Sequence, residues 1–227
     1  MRNILSKWSC LGILVDGKVD RYVLPEDLIL RSIENIESEG RLLGILTTWL
    51  SRYGHLLITK KLKFKDKRQQ RLFSAIAQAS ESSSEKLNRM ILKNEEKNKV
   101  FLFDQQLTPS MKKWAKLNPH PIFLRHGFIL KDQALVREKI LLRQIETFKR
   151  SKVLKNRALY GSSVRSDLLT FLPILDHISV RALAKKLNTS HPTLLPIIKD
   201  LMASGIVNKK TNEKHAKIAF ESDIILN

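Results

Sequence analysis

The sequence predicts a mainly helical protein, with a helical domain over residues 1–150 and a second domain over residues 151–227 that ends in a small β-hairpin. Three features carry that prediction. The chain has 227 residues, of which 43% are hydrophobic, enough for one large or two small cores. Apolar residues recur at helical spacing through most of it. After residue 158 the pattern runs helix, short helix, turn, helix, glycine, and then two short strands around a lysine-rich turn.

Taken in order, Pro25 followed by Glu26 and Asp27 reads as a helix start with acids in its first turn. Leu28, Ile29, Ile33 and Ile36 form its apolar face, and Gly40 is placed to stop it. A second helix is expected from Arg41 to about Arg52, with Leu42, Leu43, Ile45, Leu46, Trp49 and Leu50 inward and Tyr53-Gly54 at its end. Residues 55–64 alternate loosely, which predicts a short strand or extended link. A third helix is expected over Lys67–Ala79, and the serines of 80–85 mark a break or flexible loop. Lys86–Lys93 looks helical through Leu87, Met90 and Ile91, and Pro109, Pro119 and Pro121 make 108–123 irregular between short helical turns. The strongest helical pattern of the middle is Asp132–Lys152, with Leu135, Ile140, Leu141, Ile145 and Phe148 inward.

Beyond Ala158, an apolar helix is expected over Ser166–Leu175. Ser179 can cap a short helix that buries Val180, Leu183, Ala184 and Leu187, and Asn188-Thr189-Ser190 supplies a turn. Ser190 then caps a helix that tolerates Pro192 in its first turn, buries Leu194, Ile197, Ile198 and Leu201, and ends at Ser204-Gly205. Ile206-Val207 and Ile218–Phe220 read as strands flanking a basic hairpin.

Charge narrows the function. With 41 Lys+Arg against 22 Asp+Glu the formal charge is +19. Residues 1–51 are near neutral, and the excess lies after them. The densest run, 52–72, carries Arg52, Lys60, Lys61, Lys63, Lys65, Lys67, Arg68 and Arg71 against Asp66 alone. Such an excess concentrates polyanions and favours phosphate contacts by counterion release. A near-unbroken basic run also repels itself unless something partners it.

Other classes are disfavoured by what the chain offers. One cysteine, Cys10, permits neither an intrachain disulfide framework nor a Cys-based zinc site. No apolar run approaches the ~20 residues needed to span a bilayer, and residues 1–12 do not form a convincing leader, so a cytoplasmic setting without a membrane partner is expected. Gly161-Ser162 is not followed by the carboxylate pair a nucleotidyltransferase site needs. The six histidines lack metal-ligand spacing, and His120 and His126 read as surface or local capping residues. Trp8, Trp49 and Trp114 fit core or interface packing. No catalytic residues, metal or cofactor are expected, and the chain is not expected to be an enzyme.

Residues 158–222, about a third of the chain, resemble the winged helix-turn-helix of bacterial transcriptional regulators. In that family the second helix of the pair enters the major groove and the hairpin wing touches the backbone. The resemblance implies DNA contacts from Ser190, His191, Thr193, Leu195 and Lys199, flanked by Arg181, Lys185 and Lys186, with Lys209, Lys210, Lys214, His215 and Lys217 on the wing. The sequence departs from the family at Leu195 and Pro196, where polar or arginine side chains are usual. Leucine offers no hydrogen bond to a base edge, and Pro196 should kink its helix. A looser similarity, through Asn118-Pro119, Phe123, Gly127-Phe128 and Leu159–Arg165, links the chain to regulator-like proteins that accompany nucleotidyltransferase-type toxins.

The expectation is therefore duplex DNA binding for transcriptional regulation, by a homodimer paired through the apolar helices at 28–50. Two alternatives stay open. One is a protein-binding module, such as an antitoxin-like neutraliser, that makes contact through Leu195 and its neighbours. The other is single-stranded nucleic acid or RNA binding through the 52–72 basic patch, for which only Tyr53, Phe64 and Phe73 lie near as stacking residues.

Overall fold

The computed structural model describes residues 2–17, 20–175, 178–212 and 215–220. It is mainly helical and divides into two compact units, Met1–Ser151 and Lys152–Asn227. Among the described residues no helix is long and apolar enough to cross a membrane.

The first unit is built on α1 (Arg2–Lys7), α2 (Pro25–Asn35), α3 (Arg41–Tyr53) and α4 (Lys67–Ala79). Pro25 opens α2 as expected, but the helix ends at Asn35, and Gly40 starts the next helix rather than stopping this one. Asp66 caps α4 by accepting from the Gln69 N–H at 2.8 Å. Shorter elements follow: α5 (Glu85–Asn88), β1 (Val100–Phe101), α6 (Pro109–Leu117), α7 (Pro121–Arg125), β2 (Phe128–Ile129) and α8 (Gln144–Arg150). Strands β1 and β2 pair in parallel, Val100 opposite Phe128.

An aromatic column from the 3₁₀ turn Trp8–Leu11 to α8 runs through the core of this unit. Trp8 and Trp49 meet edge to face at 5.9 Å, and Trp49 lies 5.7 Å from Tyr53. All three are buried, and each polar tip has a partner: Trp8 donates to the Ser32 hydroxyl, Trp49 to the Leu11 carbonyl, and the Tyr53 hydroxyl bonds Thr147. Gly12 closes the column. Its φ is +87°, and a Cβ there would lie 2.2 Å from the Thr147 hydroxyl oxygen, so only glycine fits.

Several sequence expectations are corrected here, each because backbone groups found tertiary partners. Residues 55–64 are not a strand: they form two 3₁₀ turns, Gly54–Leu56 and Thr59–Lys61. Between them the Ile58 N–H donates at 2.7 Å to the fully buried carboxylate of Glu26. The helix expected over Asp132–Lys152 is confined to α8, after a 3₁₀ turn at Glu138–Ile140. The Arg137 N–H donates to the Thr48 hydroxyl, the Ile140 carbonyl accepts from Leu14, and the Leu142 N–H donates to the Gly12 carbonyl, so this stretch bonds sideways instead of along a helix. Ile145, expected inward, is exposed, whereas Leu135 is buried. The helix expected at 86–93 is α5 alone, and the Leu92 N–H bonds the Ser74 hydroxyl. The serine tract is a packed loop in which Ser80, Ser82 and Ser84 are buried and Ser84 caps α5.

The apolar face expected to pair two copies is used up inside the chain. Leu28, Ile29, Ile33, Ile36, Leu42, Leu43, Ile45, Leu46, Trp49 and Leu50 are all buried. Trp114 goes the other way and is exposed.

His126 takes the capping position at the end of α7, one of the two places expected for it, but it is buried rather than at the surface, with Nε2 2.9 Å from the Gln78 side-chain oxygen on α4. Burial, and then the positive charges of Arg125, Arg71 and Lys99, hold its pKa below the ordinary 6.5. The unfolded chain therefore takes up a proton more readily than the folded one. This group's contribution to stability is complete above about pH 6.5 and declines as pH falls below that. We expect the thermal midpoint to drop between about pH 7.5 and pH 5.5, and to drop less in His126→Gln. Matching pH profiles for the two proteins would contradict the assignment.

Candidate nucleic-acid interface

The second unit begins with α9 (Lys152–Tyr160) and α10 (Val164–Phe171), followed by a 3₁₀ turn at Leu172–Ile174. Helix α9 has no counterpart in the sequence reading, and α10 starts earlier and ends sooner than expected. Ser163 caps α10 in a reciprocal box with Ser166. Arg157 of α9 and Asp167 of α10 then form a bidentate pair, Nε to Oδ1 at 2.7 Å and Nη2 to Oδ2 at 2.8 Å, with both side chains fully buried.

Helix α10 makes two side-chain contacts with the elements that follow. Its Arg165 pairs with Asp200 of α12 (His191–Ala203), and the Lys186 ammonium of α11 (Val180–Lys186) lies 5.7 Å from the centre of the Phe171 ring. Ser179 caps α11, and Leu183, Ala184 and Leu187 are buried beneath it. Val180 and Ile197, expected inward, are half-buried. The turn passes through Asn188 at φ +48°, a left-handed conformation that asparagine tolerates.

Ser190 caps α12 by accepting from the Thr193 N–H, and the two hydroxyls bond each other at 2.6 Å. Leu194, Ile198 and Leu201 seat the helix. The helix continues from His191 to Ala203 through Pro196, which is exposed. The helical bond missing there belongs to the carbonyl of Pro192, also exposed, where water can satisfy it. Gly205, at φ +73°, turns the chain out of the helix.

Three short strands complete the unit: β3 (Ile178–Ser179), β4 (Val207–Asn212) and β5 (His215–Phe220), in the order β3-β5-β4. All pairs are antiparallel, with Ile178 opposite Ile218 and Val207 opposite Phe220. The strands are longer than the sequence implied. The hairpin register sets Lys210 opposite Lys217 and Asn212 opposite His215, while Lys214 lies outside the described residues.

Most of the residues expected to meet DNA reach solvent. Arg181, Lys185, Lys186, Ser190, His191, Thr193, Leu195 and Lys199 are all exposed. Among the described residues no carboxylate pairs with Arg181, Lys185, Lys186 or Lys199. The exposed acid described in this unit, Asp200, is taken by Arg165. Two expected readers are preoccupied, since Ser190 and Thr193 spend their hydroxyls on each other.

The 52–72 run is arranged differently. Lys65 pairs with Glu34, Arg68 with Glu37 and Arg71 with Glu96, and Lys61 is buried. Arg52, Lys60, Lys63 and Lys67 are exposed. Tyr53 and Phe73 are buried, and Phe64 is half-buried and packs on Phe73 at 5.1 Å, so none of the three rings expected to stack is exposed. The partner that a self-repelling run requires is supplied from within the chain. Among the described residues no group of three or more His, Cys, Asp or Glu is arranged to hold a metal ion.

No protein-family model, curated protein or solved structure matches this chain.

The buried pair makes a direct prediction. Arg157→Ala leaves the Asp167 carboxylate without its guanidinium and is expected to cost ~3–5 kcal/mol. The double change Arg157→Met with Asp167→Leu is expected to recover most of that. Urea unfolding measures both, and an unshifted midpoint in Arg157→Ala would contradict the assignment.

Proposed function

We propose that the Lys152–Asn227 unit is a winged helix-turn-helix that binds duplex DNA, with α12 in the major groove and the β4–β5 hairpin as the wing along the backbone. The observation that carries this reading is topological. A helix, a short strand, a helix pair with a tight turn and a hairpin follow one another, and the hairpin takes the short strand into one three-stranded sheet. The exposed cations on α11 and α12 support the same reading.

Affinity in this account comes from phosphates. Leu195 and Pro196 offer no base-edge hydrogen bond, which leaves His191, Lys199 and the mutually bonded Ser190 and Thr193 hydroxyls as the polar groups on this helix. The chain acts as a binding protein in transcriptional control rather than as an enzyme. One observation favours a second reading, contact with a protein: Leu195 is 37% exposed beside Pro196, an apolar spot in the middle of the proposed reading helix.

Fluorescence anisotropy against a labelled duplex at several salt concentrations tests the proposal. Log affinity should fall steeply with log salt. Replacing Lys209, Lys210, Lys214 and Lys217 by Gln should weaken binding at least tenfold and reduce the salt slope by about 0.9 for each phosphate no longer neutralised. Leu195→Ser should leave duplex affinity within about twofold. Unchanged affinity in the lysine variant would overturn the wing assignment, and loss of a captured protein only in Leu195→Ser would favour the second reading.

A further inference from the structure

The 52–72 run lacks an exposed ring, but the first unit has one elsewhere. Helix α6 buries only Ala115, and its Met111, Trp114 and Leu117 are 51%, 59% and 67% exposed. Thr108 caps the helix at its amino end. The residues of α6 and β2 border an open cavity of about 510 Å³, lined by Phe103, Leu107, Met111, Trp114, Ile129 and Lys131 among others. That volume is within the range of pockets that take small organic groups.

Cations surround the rings. The Lys131 ammonium lies 5.4 Å from the centre of the Trp114 ring, and those of Lys112 and Lys116 lie 5.7 and 5.5 Å from the centre of Phe101. Lys113 is exposed next to them. Of these lysines, Lys112 pairs with Asp104 at 2.7 Å.

We propose that Trp114 and this cavity bind an unpaired base of single-stranded nucleic acid, with Lys112, Lys113, Lys116 and Lys131 holding the flanking phosphates. An exposed indole with the Lys131 ammonium over its ring, on a helix whose Lys113 and Lys116 are also exposed, meets both demands of such a ligand, a flat surface to stack on and positive charge along the strand. A lipid surface fits less well, because inserting Trp114 would carry the Lys131 ammonium into hydrocarbon with it. This site is independent of the duplex reading and uses other residues.

Tryptophan fluorescence of the full chain reports on this site, since Trp8 and Trp49 are fully buried. Titration with a deoxythymidine oligomer should quench the emission. Trp114→Ala should weaken oligomer binding about 5- to 150-fold, the factor one base–aromatic stack carries, and Trp114→Phe should retain most of the affinity. Neither change should alter the thermal midpoint appreciably or move duplex affinity by more than about twofold. Equal oligomer affinity in Trp114→Ala and the parent would overturn the proposal. So would an oligomer that binds without quenching, no oligomer binding by the parent, or quenching by anionic vesicles or polyglutamate but not by the oligomer. Loss of duplex binding with oligomer binding intact would count against the winged-helix reading alone.

Discussion

The Arg157–Asp167 pair is the constraint on which the second unit depends. Two charges taken wholly out of water are stable only if each meets the other at close range and in plane, and their two parallel bonds are satisfied at one placement of α9 against α10. Apolar side chains of equal volume would hold the helices at least as well, so what the pair adds is a geometric demand. With α10 so placed, its other side chains set the neighbours: Arg165 reaches Asp200 on α12, and Phe171 lies under Lys186 of α11. The helix pair proposed to grip DNA is seated on its own sheet, with α12 against β4 and α11 against β3 and β5, and α10 adds these two contacts.

Charge follows a division of labour that the total of +19 conceals. In the first unit the basic run lies against Glu34, Glu37 and Glu96, so much of its charge serves tertiary packing. Such exposed pairs contribute little stability each, but they lower the attraction of that surface for polyanions. On α11 and α12, by contrast, Arg181, Lys185, Lys186 and Lys199 face solvent with no described carboxylate to offset them. Those four, with the hairpin lysines, are where counterion release has most to gain.

How much was legible in the sequence follows from where backbone bonds close. Helices whose bonds stay local were readable: α4 lies where its apolar spacing put it, and α11 and α12 begin after Ser179 and Ser190 as expected. The readings that failed are those in which a distant group captured the backbone. Nothing in 132–152 announces that Thr48, Gly12 and Leu14 will take its bonds, and nothing in 55–64 announces the Glu26 carboxylate. The cationic residues on α11 and α12 were named through the winged-helix resemblance, whereas nothing named the Arg157–Asp167 pair, because an arginine ten residues before an aspartate looks like two surface charges. Of the two places expected for Trp114, core or interface, its exposure excludes the core.

The central claim, that the second unit meets duplex DNA through α12 and the β4–β5 hairpin, is tested most directly by backbone amide NMR of the full chain during titration with a short duplex. The account predicts that the largest shift changes fall at residues 188–199 and 207–220, with the amides of α2 and α3 little affected. Changes concentrated on 52–72, or spread evenly over the chain, would contradict it.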